Sequence, residues 1–299
     1  MKKFLYYSIA ALMLIAASCD KNEIYNRKQA DLEWDGITPM PEAVDLGIVV
    51  DGKNIKWASQ NLGAANYYDY GDWYAWGETI PYYTSIWPLR WVKRNETDEA
   101  YLRYNWESYI YANGASNMLT KYCPNNDMDA TYWDLDARPE GPDGLTSLQP
   151  SDDPVRQRLG GTWRMPSWEE FEALMQTKGN EDYEWKFNVI ATDKEGNQLS
   201  DLNGNRYKGI RITRISTGAS IYLPAAGLSG YDNTYPIGFY CASWGFYWSS
   251  TLDTEPEESR ENFPSPQNAR AFHFDQIERC ISPGWVWRCY GMSIRPVTE

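Results

Sequence analysis

An α+β domain of mainly short antiparallel strands, with one or two helices, is the fold class that this sequence predicts. Three observations carry it. Short runs rich in β-branched and aromatic residues recur between Asp, Asn, Gly and Pro turns. One segment alone combines a cap with the 3.6-residue apolar period of a helix. Apolar residues make up 42% of the 299-residue chain, enough to bury a sizeable core.

The elements follow in order. "AVDLGIVV", "DGK" and "NIKWAS" read as a hairpin turning at Asp51-Gly52, because Asp-Gly supplies the two positive φ angles of a tight turn. In "WRMPSWEEFEALMQ", Ser167 caps a helix and Glu170, three residues later, completes a capping box. Phe171, Leu174 and Met175 then form its apolar stripe. "YKGIRITRISTGASIYLPAAG" is a second hairpin turning near Thr217-Gly218, with Ile210, Ile212 and Ile215 against Ile221 and Leu223. "GFYWSSTL", "ARAFHFD" and "YGMSIRPV" give three more short strands. Many strands with few helices make an α+β arrangement.

The chain opens with "MKKFLYYSIAALMLIAASC": two lysines, an apolar run from Phe4 to Ala17, and small residues before Cys19. This is a secretory leader, residues 1–18, too short for a comfortable membrane span. Its end resembles the bacterial lipobox, with Ala16 where Leu usually stands. That resemblance implies lipidation of Cys19 and a membrane contact through the N-terminal lipid, whose buried CH₂ groups contribute about 0.8 kcal/mol each. Residues 19–42, of mixed charge with two prolines, read as a flexible tether to a domain at 43–299. The charges after Cys19 resemble the surface-export signals of Bacteroidetes lipoproteins, so an outer-membrane or cell-surface location is expected.

Charge and composition exclude several function classes. With 28 basic and 41 acidic residues the formal net charge is −13, and no Lys/Arg cluster exceeds a few residues. No nucleic-acid partner is therefore expected. The single histidine, His273, rules out a multi-histidine metal site and leaves a histidine triad only this residue. No phosphate loop, nucleophile elbow or HExxH occurs, and neither a cofactor nor a metal is expected. "DLNGNR" at Asp201 alternates oxygen ligands as an EF-hand loop does, but its early glycine and missing Glu make it a polar turn. The rings are the compositional outlier, at 15 Trp and 23 Tyr against 8 Phe. Rings with a polar tip suit cores whose edges reach hydrogen-bond partners, and they also suit sugar-stacking surfaces.

The motifs "VDLGIVV", "IKWASQNLGA", "DYGDWYAWGET", "KYC", "GGTWRMPSWEEFEAL", "SIYLPAAG", "FYWSS" and "YGMSIRPV" stand in one order from about Ala43 to Val297. Together they resemble the Fibrobacter succinogenes major paralogous domain family, a group of secreted and surface proteins assigned to the C-type-lectin-like superfamily. The resemblance implies a C-type-lectin-like fold and a surface location, and no established activity. It also implies structural roles for Tyr70, Gly71, Asp72, Tyr74, Trp76, Gly77 and Glu78 in "YYDYGDWYAWGET", and for Trp57, Trp163, Arg164, Pro166, Phe171, Trp248 and Arg295. Asp72 and Glu78 are then expected to accept backbone N–H bonds or to pair with arginines, rather than to act as a glycosidase pair.

Three regions depart from that pattern and hold the candidate ligand-binding residues. An insertion at 80–114 carries Trp87, Trp91 and Trp106; the rings either stack on a sugar or pack against the domain. Between "LPAAG" and "FYWSS", residues 228–245 read as a long loop in which Tyr231, Asp232, Asn233 and Tyr235 mix ring faces with amide and carboxylate groups. The sugar-binding motifs of calcium-dependent lectins are absent, "QPSDDP" at Gln149 being a near miss. Third, Cys280 and Cys289 bracket Trp285 and Trp287 in an expected turn at Pro283-Gly284, where a Cys280–Cys289 disulfide is one pairing and free thiols are the other. "WRMPSWEEFE" also resembles a segment of formylglycine-generating enzymes, whose two close cysteines hold copper, but the spacing here differs.

The expected role is non-catalytic binding of an extracellular glycan or a surface protein. A structural envelope lipoprotein is the alternative, and an oxidase the remote one.

Overall fold

The predicted first hairpin forms. Strands β1 (Ala43–Val50) and β2 (Lys53–Ala58) pair antiparallel, with Val50 opposite Lys53 and both turn residues, Asp51 and Gly52, at positive φ. The structure is a computed structural model and describes residues 33–86, 90–93, 104–124, 132–200, 206–230, 235–254 and 266–299. At 83–86, 90–93 and 235–239 the description is of the backbone. The leader, Cys19 and the tether to residue 32 lie outside these residues. No helix among the described residues is long and apolar enough to cross a membrane.

Around the first hairpin the chain builds small antiparallel sheets. Strand β3 (Asp72–Trp73) is extended by β4 (Tyr83–Ile86) and β5 (Arg90–Lys93), both supplied by the insertion. Strands β6 (Tyr183–Ile190), β7 (Lys208–Arg214) and β8 (Ser220–Pro224) form a second sheet containing the predicted second hairpin. β9 (Leu228–Gly230) and β10 (Tyr235–Phe239) make a two-stranded ribbon where a loop is expected from sequence. β11 (Trp244–Leu252), β12 (Asn268–Asp275) and β13 (Cys280–Trp287) form another three-stranded sheet, and β14 (Val297–Thr298) closes onto β2. With two α-helices beside these sheets among the described residues, the fold is α+β.

Helix α1 (Pro154–Leu159) starts at Asp153, whose carboxylate accepts from the N–H of Val155 at 2.8 Å. Helix α2 (Trp168–Gln176) carries the predicted capping box. The Ser167 hydroxyl accepts from Glu170 N, and Ser167 N donates to Glu170 Oε2 at 2.8 Å. Arg164 then donates to both oxygens of Glu170, at 2.7 and 2.5 Å. The apolar face of α2 lays Phe171 against Trp57 (centroids 5.2 Å apart) and stacks it on Phe272 at 5.3 Å. Here it meets Leu46, Ile48, Ile55, Ile210, Ile212, Ile221 and Leu223 in a buried aliphatic core.

Two segments differ from the sequence reading. "YGMSIRPV" is not a continuous strand. Gly291, Met292 and Ser293 make isolated bridges to Ser229, Tyr74 and Tyr247, and ladder pairing resumes only at Val297. The reason is Arg295, fully buried, whose guanidinium donates to the carbonyls of Ala58 (2.9 Å) and Tyr222 (2.7 Å), followed by Pro296 with no N–H to offer. Burial pushes the Arg295 guanidinium down to about 10. Residues 33–42, expected to belong to the tether, dock on α1 instead. Asp35 accepts from Ile37 N and Thr38 N and donates its own N–H to Arg158 O at 3.0 Å, while Arg158 Nε donates to Thr38 Oγ1 at 2.8 Å.

Candidate functional site

The stretch Tyr67–Thr79 divides into a buried part and an open part. Tyr70, Asp72, Trp73, Tyr74, Trp76 and Glu78 are all buried. Asp72 takes Arg158 Nη1 at 2.6 Å, and Glu78 accepts from Ile110 N at 3.0 Å. These carboxylates hold the fold, as expected. Gly71 makes the bend possible: its φ is +75°, and a Cβ there would lie 2.5 Å from the carbonyl oxygen of Leu62.

Tyr67 and Tyr68 instead line a groove of about 640 Å³ on the outer face of the β6–β7–β8 sheet. The local sequence sets their position. Asp69 accepts from both the backbone and the side-chain N–H groups of Asn66, at 2.9 Å each, closing a turn that presents the two rings. Burial raises the Asp69 carboxyl above its ordinary range against those hydrogen bonds. The Tyr67 hydroxyl donates to Thr192 O (3.0 Å) and accepts from Thr192 N (3.1 Å), which ties this turn to the segment after β6. The Tyr67 ring stands edge-on to Tyr68 and to Tyr222, with centroids 5.1 and 5.3 Å apart. Tyr222 is fixed from behind, its hydroxyl donating to Val189 O and its carbonyl held by Arg295.

Polar groups ring these tyrosines. Asp193 is held in its turn by the backbone and side-chain N–H groups of Asn197, and these bonds keep its carboxyl below the usual range. Arg211 lies opposite Tyr222 in the β7–β8 register, so both side chains share the outer face. Burial first, and the Asp69 charge second, raise the Tyr68 phenol above its ordinary range. Apolar ring surface bordered by amide, carboxylate and guanidinium groups can hold a polar ligand with apolar faces.

A second, smaller pocket of about 180 Å³ lies between α2 and β13 and is lined by Trp168, Arg270, Asp253 and Trp285. Arg270 sits over the Trp168 ring, 5.3 Å from its centroid. Among the described residues no group of three His, Cys, Asp or Glu side chains is placed to hold a metal ion. His273 stacks on Phe246 at 4.5 Å and shares a hydrogen bond between Nδ1 and Ser282 Oγ at 3.0 Å, while its buried Nε2 has no hydrogen-bond partner among the described residues.

The candidate residues named from sequence are dispersed. Cys19, Trp87, Tyr231, Asp232 and Asn233, and residues 201–205 of the "DLNGNR" turn, lie outside the described residues. Trp91 and Tyr235 stand on the backbones of β5 and β10. Trp106 is a correction: its ring is buried, edge-on to Tyr109 at 5.7 Å, so it serves the core and offers no platform. Trp285 and Trp287 are 42% and 37% exposed, yet they sit on strand β13 and not in a turn. Pro283 and Gly284 are accommodated because the sheet order leaves β13 at an edge. The Cys280–Cys289 disulfide is a second correction. Both thiols are free, Cys280 exposed at one end of β13 and Cys289 buried just beyond the other, with roughly 25 Å of extended chain between them. The same separation removes the two-cysteine copper site of the oxidase reading.

The sequence reading missed the groove residues Tyr67, Tyr68, Asn66, Asp193, Arg211 and Tyr222. One signal was present: Tyr67 and Tyr68 precede the stretch Tyr70–Glu78, whose residues are expected from sequence to be structural. No family model matches the chain, and no curated protein or solved structure is significantly similar to it.

Proposed function

We propose that this chain is a lipid-anchored surface protein with a C-type-lectin-like domain of the Fibrobacter paralogous kind, which binds an extracellular glycan without transforming it. The observation that supports this reading is the groove at Tyr67, Tyr68 and Tyr222. Sugar rings combine apolar C–H faces with hydroxyls in fixed directions. The groove offers the matching set: tyrosine rings for the faces, and Asn66 and Ser220 for the hydroxyls. Its volume of about 640 Å³ suits a short saccharide segment. The turn bearing Tyr67 and Tyr68 is clamped within itself and to Thr192 by hydrogen bonds before any ligand arrives, which lowers the ordering cost of binding.

The secretory leader and Cys19 support the surface placement. A second reading, capture of a surface protein, is supported by the exposed Trp285 and Trp287 on the edge strand β13. A glycan-array screen of the full-length protein, read together with Tyr68→Ala and Trp285→Ala, separates the two. The glycan reading expects a reproducible hit that Tyr68→Ala weakens by at least roughly tenfold, about 1.4 kcal/mol, and that Trp285→Ala leaves intact. A clean negative with folded protein would move the assignment to a protein partner.

A further inference from the structure

We infer that Arg211 makes the groove selective for a sugar that carries a single carboxylate, an inference that rests on the glycan-binding reading above. The β7–β8 register sets Arg211 directly across from Tyr222, with Lys186 of β6 on its other side, so the guanidinium shares the outer face with the groove's rings. It is part-buried there.

Among the described arginines that are not exposed, Arg211 stands out for its lack of a partner. No described residue hydrogen-bonds or ion-pairs with its guanidinium. Three positions along the same strand, Arg214 donates to Asp182 at 3.0 Å, and elsewhere Arg158 and Arg164 are held by Asp72 and Glu170. A planar guanidinium fork matches a carboxylate with two parallel N–H···O bonds. In a groove partly shielded from water such a bond is stronger than on an open surface. With the C–H face of the sugar against Tyr67, Tyr68 or Tyr222, a ring carboxylate is the group that would complete the empty fork.

The rest of the lining sets an upper limit on ligand charge. Glu42, Asp193 and Glu195 oppose Lys194 and Arg211, leaving the groove slightly acidic. The Asp193 oxygens are already taken by Asn197. The chain as a whole carries −13. A sulfated polymer therefore meets repulsion along its length, whereas one carboxylate placed at Arg211 meets a cation.

The test is calorimetric titration of the full-length protein with a glucuronic-acid-terminated disaccharide, its glucose-terminated counterpart, and heparin as the sulfated polymer. The acidic disaccharide should bind roughly 10- to 100-fold more tightly than the neutral one, the range expected for a charge-assisted pair. Arg211→Gln should erase that preference, weakening the acidic disaccharide far more than the neutral one, while leaving the thermal midpoint unchanged. Arg211→Lys, which keeps the charge without the fork, should retain part of it. Equal binding of the two disaccharides, a preference that survives Arg211→Gln, or tighter binding of heparin would each overturn the selectivity and leave glycan binding standing. If no saccharide binds and Tyr68→Ala changes nothing on the array, the glycan reading falls and the selectivity falls with it.

Discussion

The two larger of the three buried cores among the described residues solve the same problem differently. Under the sheets, Leu46, Ile48, Ile55, Ile210, Ile212, Ile221 and Leu223 pack with Phe171 and Phe272, and the backbone there is satisfied by strand ladders. Around Trp76, by contrast, the chain is mostly turns and isolated bridges, and the core is built from Tyr and Trp. Here the ring tips serve the backbone. Tyr104, Tyr109 and Tyr111 donate to the carbonyls of Trp73, Trp76 and Gly77, at 2.6, 2.8 and 3.0 Å. Trp76 and Trp248 donate from Nε1 to Ser249 O and Tyr74 O, at 2.8 and 2.9 Å. Irregular backbone can be buried only if its polar groups find partners, and in this region side-chain donors take the place of a ladder. These five rings therefore have a structural use that needs no ligand.

The largest expected effect tests the sheet core. Phe171→Ala removes a fully buried ring wedged between Trp57 and Phe272, and should cost about 3–5 kcal/mol in urea unfolding with an unchanged slope. A loss near 1 kcal/mol would mean that the neighbouring side chains collapse into the space.

A somewhat smaller effect belongs to the ring core and depends on pH. Glu78 is buried beside Tyr82, and desolvation raises its carboxyl to about 7, opposed by hydrogen bonds from Ile110 N and Tyr82. The folded state therefore holds this proton more tightly than the unfolded chain. Its contribution is fully present below the ordinary value near 4.5 and is lost as pH rises through about 7, amounting to about 3 kcal/mol. Unfolding at about pH 5 and about pH 8.5 should show this decline, with contributions from other groups common to variant and parent. Glu78→Gln keeps an oxygen for Ile110 N and cannot ionise, so its decline should be smaller by that amount. An identical decline in the two proteins would assign the pH dependence elsewhere.

Much of the sheet core was legible from sequence, because its signals are local. Asp51-Gly52 encodes its turn, Ser167 and Glu170 encode their box, and Ile210, Ile212, Ile221 and Leu223 encode one buried face, whereas Ile215, expected with them, is 59% exposed in the turn beyond β7. The candidate site was not legible for the opposite reason. Tyr67, Thr192, Arg211 and Tyr222 meet across as many as 155 residues, and only the sheet register brings Arg211 beside Tyr222. Nor does a tryptophan announce its surroundings: Trp106 and Trp285 read alike in sequence, yet one is buried and the other is 42% exposed. Trp285-Val286-Trp287 alternates as a strand does, but Pro283-Gly284 masked that period and suggested a turn.

The smallest expected effect isolates what a ring tip contributes. Tyr109→Phe keeps the ring beneath the Arg288 guanidinium, 5.6 Å from the centroid, and keeps its edge contacts with Trp106 and Tyr111. It removes one oxygen, the donor to the buried Trp76 carbonyl. Leaving that acceptor without the bond should cost about 1–3 kcal/mol. Leu223→Met in the sheet core alters several atoms yet strands no polar group, and should cost less than about 1.5 kcal/mol. If the single oxygen proves the more expensive change, hydrogen bonding by ring tips holds the irregular half together. If Tyr109→Phe is neutral, its rings act there by area alone, and the two cores differ in composition but not in principle.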